Sequence, residues 1–111
     1  MEFFDHCMVK INESLVALTG GRNSIATTLL VDLSNNFTMK EGPPLINGRQ
    51  NHACGTFEFN GKTMVILAGN GIEGFDSTLT EIWDPSSNDG WVQGNKTDYF
   101  FINWLTQLIF P

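Results

Sequence analysis

Residues 54–67, CGTFEFNGKTMVIL, hold Asn60-Gly61 between two short apolar runs. Both central residues of a type I′ turn need positive φ, which Asn and Gly tolerate best, so this segment predicts two antiparallel strands with a tight hairpin. Residues 5–21, DHCMVKINESLVALTGG, half echo it, with Asn12-Glu13 at the matching turn position. Six strands follow from β-branched and aromatic runs bounded by turn residues: 7–11, 15–19, 27–32, 53–59, 63–68 and 78–84. Two shorter ones are expected at 37–40 and 90–93. No segment before residue 97 sustains a helical stripe, so the class is all-β.

The echo extends past the hairpin. His6-Cys7 answers His52-Ala53-Cys54, Gly20-Gly21 answers Gly69-Asn70, Val31-Asp32 answers Trp83-Asp84, and Phe37 answers Trp91. The offsets are roughly 50 residues and grow along the chain, as they do when the second copy has longer loops. A period of that size with four strands per unit belongs to β-propellers, in which each unit is one blade.

The order GRQNHACGTFEFNGKTMVILAGN, LTEIWDP, DGWVQG resembles the Kelch repeat family, with TGG, LLVDL and FTMKEGPPL forming a more divergent first copy. The resemblance covers residues 6–94. It implies a partial β-propeller of about two four-stranded antiparallel Kelch blades that does not close alone. Residues 1–42 form the first repeat, 43–94 the second and 95–111 an apolar tail. The repeat landmarks are Gly20, Gly21, Gly69, Asn70, Trp91, Arg49 and His52. The chain departs from the family pattern in three ways: Asn70 replaces a glycine, Phe37 replaces a tryptophan, and no arginine precedes His6 as Arg49 precedes His52.

Most of these landmarks read as architecture. Gly20, Gly21, Gly69 and Asn70 end apolar strands, where the departing chain needs positive φ or a close backbone approach. A phosphate-cradling loop is disfavoured, because no helix and no Lys-Ser/Thr pair follows. Trp91 and Phe37 are expected as wedges between blades, and Trp83 as core in preference to a partner contact. Asp32 and Asp84 read as turn starters. Glu41-Gly42-Pro43-Pro44 reads as a linker.

His6, Cys7, His52 and Cys54 have ligand chemistry for zinc but no finger or ribbon spacing. Because each pair occupies the same place in successive repeats, neither a metal site nor a Cys7–Cys54 disulfide is expected, and the cysteines read as free buried thiols. No cofactor is expected.

Six scattered basic residues and a net charge of −6 argue against nucleic acid or an anionic membrane as partner. The amino terminus carries acidic residues where a secretory signal would be basic, and no apolar run is long enough to span a bilayer. The expectation is an intracellular, cytoplasmic protein. The sequons at Asn12, Asn36 and Asn95 then read as chance matches.

The loops between second and third strands, RNSIAT and GNGIEGFDST, are where binding residues tend to collect. Arg22, Asn23, Glu73, Phe75 and Asp76 are the candidate partner contacts. Phe75 reads equally as an exposed anchor or as folded back on the blade. Residues 95–111, NKTDYFFINWLTQLIFP, break the repeat; a closing strand, a short helix and a misread frame all fit, the last preferred. By resemblance, the expected function is a non-enzymatic protein-protein interaction module, adaptor-like by family analogy, with self-association through exposed blade edges. A truncated fragment without activity is the alternative, and a propeller enzyme a weaker one.

Overall fold

The computed structural model describes residues 6–22, 26–69 and 80–94. Among these, the chain forms eight strands and no helix: β1 (Cys7–Asn12), β2 (Leu15–Thr19), β3 (Thr28–Asp32), β4 (Thr38–Glu41), β5 (Ala53–Phe59), β6 (Lys62–Ala68), β7 (Glu81–Trp83) and β8 (Trp91–Gln93). They form two four-stranded antiparallel sheets, ordered β1-β2-β3-β4 and β5-β6-β7-β8. The all-β class and the two units of four strands match the sequence reading. The sheets are not closed into a ring. The expected strand at 78–84 begins outside the described residues, and all of 95–111 lies outside them too.

The two hairpins turn by different chemistry. Asn60 and Gly61 both have positive φ, 52° and 76°, as the type I′ reading requires. In the first copy the turn falls on Glu13-Ser14, one residue later than expected, and neither has positive φ. Asn12 caps that turn: its Oδ1 accepts from Ser14 N at 2.9 Å and Ser14 Oγ at 3.2 Å. A register shift between Lys10 and Asn12 absorbs the difference. Asp32 and Asp84 do start turns, each Oδ1 accepting from the backbone N and hydroxyl of the serine two residues on.

The ladders establish which residues of the two copies correspond. Val16 pairs Val31 and Val31 pairs Met39; Val65 pairs Trp83 and Trp83 pairs Trp91. The counterpart of Trp91 is therefore Met39, not Phe37. Phe37 sits in the β3–β4 turn with φ 58° and is 66% exposed, so it is no wedge. On the amino-terminal side, Cys7 pairs Thr19 while Ala53 pairs Ala68, which makes Cys7 the counterpart of Ala53 and Met8 that of Cys54.

The sheets stack face to face, and the core lies between them. Val9, Ala17 and Leu30 come from the first sheet, Val65, Leu67, Trp83 and Trp91 from the second, and Leu45 from the connection between them. Stacking two copies of one sheet in this manner brings opposite faces together. Ala17 corresponds to Ile66, which belongs to a separate small cluster with Ala68, Phe57 and Ile82, whereas Leu67 corresponds to Leu18. Because side chains alternate along a strand, the inward set of one sheet is the outward set of the other. The closest approach is β1 against β5 and β6. Toward β4 the gap widens into an open groove of about 300 Å³ between Leu30 and Lys40 on one side and Trp83 and Gly90 on the other.

Candidate functional site

The joint between the sheets is built on residues 42–52. Gly42 N donates to Thr28 O, Leu45 N to Ala26 O, and Gly21 N to Arg49 O, so the connection lies against the first sheet. From there Arg49 reaches into the second. Its Nε donates to Glu81 Oε2 at 2.8 Å and its second nitrogen donates to Gly69 O at 2.9 Å, with both side chains fully buried. Glu81 also accepts from Ile46 N at 2.6 Å and Asn47 N at 3.2 Å. A buried carboxylate is tolerable only with its charge matched and its lone pairs filled, and here one strand residue meets both demands from a single loop. In the first sheet Leu29 stands where β7 has Glu81, and no arginine precedes His6. Both partners of the ion pair are absent together.

Gly20 makes this route possible. It has φ 65°, and a Cβ there would collide with Arg49 O and lie 2.7 Å from His52 Cε1. Gly21 and Gly69 also have positive φ, 110° and 84°, while Asn70 lies outside the described residues.

His52 is anchored beside this joint. Thr19 Oγ1 donates to Cys7 O at 3.3 Å and so accepts from His52 Nε2 at 2.9 Å, placing the imidazole proton on Nε2. Nδ1 is buried without a hydrogen-bond partner among the described residues, so a second proton there would find no acceptor among them. Burial, then Arg49 and His6, depress its pKa from 6.5 to about 4. It acts as a neutral brace.

Trp91 is the wedge the sequence indicated. Its Nε1 donates across the gap to Thr28 Oγ1 at 3.0 Å and Pro43 O at 3.2 Å, and its ring meets Trp83 at 5.4 Å between centroids. Trp83 is buried as core.

The cysteines overturn the free-thiol expectation. Cys7 and Cys54 form a disulfide joining β1 to β5, with Cα atoms 6.1 Å apart. The one-residue difference in correspondence explains it. Had Cys54 stood at the position of Ala53, it would share the facing of Cys7 and turn away from it; one residue later, it faces the first sheet. Both sulfurs are consumed, so neither is available to a metal.

Of the partner contacts suggested by the sequence, Arg22 is exposed just after the Gly20-Gly21 exit. Asn23, Glu73, Phe75 and Asp76 lie outside the described residues. Glu81 was not singled out from the sequence; its signal is a carboxylate inside the apolar LTEIW run, beyond reach until Arg49 is placed opposite.

Two surfaces could engage a ligand. One is a crevice of about 490 Å³ between the sheets, lined by Leu15, Leu30, Asp32, Lys40, Trp83 and Pro85 among others, with Asp32 its only carboxylate among the described residues. The other is the outward face of the first sheet. Met8 is 66% exposed and Met39 59%, with Val16, Leu18 and Val31 half-buried between them. These five correspond to Cys54, Trp91, Val65, Leu67 and Trp83, which face the core on the second sheet.

No protein-family model matches the chain, and a search of curated proteins found no similar sequence.

Proposed function

We propose that the chain is a non-enzymatic protein-protein interaction module made of two Kelch-type propeller blades. One observation carries the reading: Met8, Val16, Leu18, Val31 and Met39 form an apolar face at the positions that the other sheet uses to bind its neighbour. A face with this pattern suits another β-sheet surface, and an exposed apolar patch of contiguous residues is characteristic of an interaction site. The widening of the inter-sheet gap from β1–β5 toward β4, with indole rings filling part of it, supports the wedge shape of propeller sectors. Among the described residues the crevice holds one carboxylate, Asp32, which already caps a turn.

A photoreactive amino acid at position 39 tests this reading in cell extract. A discrete cross-linked protein, competed by excess unlabelled chain but not by a Met8→Lys/Met39→Lys variant, is the expected result. Both substituted residues are exposed, so the variant should fold normally. Adducts that are absent, or that both competitors remove equally, would leave the truncated-fragment reading in its place.

A further inference from the structure

We infer that Asn36 is an N-glycosylation acceptor and that this chain matures in an oxidising, secretory compartment. The inference is independent of the Kelch reading and rests on two separate features.

The first is the inter-sheet disulfide. Cys7 and Cys54 lie within bridging distance by virtue of strand pairing and stacking, and no cysteine is free. Such bonds persist outside the reducing cytosol. Its formation removes two electrons and two protons from the thiols, which a disulfide-bearing oxidoreductase of that compartment accepts. The intracellular expectation rested on the acidic amino terminus, and the sequons read as chance matches only because secretion was not expected; the Cys7–Cys54 bond points to the opposite compartment.

The second is the placement of Asn36-Phe37-Thr38. Every residue from Leu33 to Glu41 is exposed, and Asn36 sits in the β3–β4 turn with φ 56°. A bulky polar substituent there points away from the packed core, since Asn36 and its neighbours along the chain are exposed. It would also answer two liabilities of this corner, the 66% exposed ring of Phe37 and the wholly exposed edge strand β4, which invites pairing with another chain. The turn is at the end of β4, so the sheet face bearing Met8 and Val31 stays open. Asn12 is less suited: its Oδ1 is engaged by Ser14, and it lines a narrow groove with Gly61 and Asp84 of the second sheet. Asn95 lies outside the described residues.

The chemistry is transfer of an oligosaccharide from a lipid diphosphate carrier. Asn36 Nδ2 forms the bond to the sugar C1 as the C1–O bond to the diphosphate breaks. The lipid diphosphate departs, and the displaced amide proton passes to the transferase.

The chain should be produced behind a cleavable secretion leader in animal cells, as wild type, Asn36→Gln, Thr38→Ala and Asn12→Gln. The wild type should secrete with no thiol labelled before reduction and should lose one glycan mass on amidase treatment in heavy-oxygen water, with the label at residue 36. Asn36→Gln and Thr38→Ala should abolish this, and Asn12→Gln should not. Thr38→Ala leaves the left-handed residue in place, so it separates a lost acceptor from a folding defect. A secreted, fully oxidised chain with residue 36 unmodified would overturn the assignment. So would an unshifted band when an antibody to the chain is used on amidase-treated extracts of the source organism.

Discussion

Glu81→Gln is the sharpest test of how the two sheets are joined. The substitution keeps the shape but removes the charge, and it replaces one acceptor oxygen with an NH2 donor. Three donors converge on the wild-type carboxylate, Ile46 N, Asn47 N and Arg49 Nε, so at least one loses its acceptor. The Arg49 guanidinium, 0% exposed, then loses the carboxylate charge of Glu81 beside it. Breaking a buried pair from one side costs about 3–5 kcal/mol, a large share of the ~5–15 kcal/mol that holds a domain together. Arg49→Met should cost a similar amount. The double variant Arg49→Met/Glu81→Leu should recover part of the sum, because neither member of the pair is left facing the other's absence, though the amides of Ile46 and Asn47 lose their acceptor. Urea unfolding followed by fluorescence of the buried tryptophans measures all three. A Glu81→Gln loss below ~1 kcal/mol, with an unchanged urea slope, would refute the claim that this pair bears on the joint. Strict additivity in the cycle would refute the claim of direct coupling.

Other expectations follow from the same joint. The disulfide closes a loop with a sequence separation of 47, and constraining the unfolded chain over that length contributes about 4 kcal/mol; Cys7→Ala/Cys54→Ala should lower the urea midpoint as much as reductant lowers that of the wild type, and no effect of reductant would sink the bridge. His52 titrates at about 4 in the fold against 6.5 when unfolded, so its contribution is complete above pH 6.5 and is lost as pH falls toward 4. That loss amounts to about 3 kcal/mol, and a His52→Gln variant should show a correspondingly flatter stability curve over the window; parallel curves would contradict the buried neutral imidazole. Trp91→Phe deletes the donor shared by Thr28 Oγ1 and Pro43 O and should cost about 1–3 kcal/mol in thermal unfolding. Phe37→Ser should stay within ~0.5 kcal/mol of wild type, and a larger loss would restore Phe37 as a wedge.

The legible part of this protein was local. Strand-forming runs, Asn60-Gly61 and the glycine exits act over a few neighbouring residues, and the order of landmarks announced two copies of one unit. Those features located the strands of both sheets to within a few residues, because turn φ angles and β-branched runs are decided by nearest neighbours. Trp91 was legible as a wedge for the same reason, being a large ring at a repeat position. What failed was matching by residue type. Aligning Phe37 with Trp91 paired two aromatics, yet the ladder puts Met39 opposite Val31 and leaves Phe37 in the turn.

Counting His-Cys against His-Ala-Cys as equivalent hid a shift of one residue. In a strand, one residue is the difference between facing a neighbour and facing away. The sequence alone therefore located the strands, the hairpin and the division into two four-stranded sheets. Only the stacking of the sheets decided that Cys7 meets Cys54, that Arg49 neutralises Glu81 and that His52 is held neutral. Each of those contacts joins residues distant along the chain, and their distances are set by facing and register rather than by spacing.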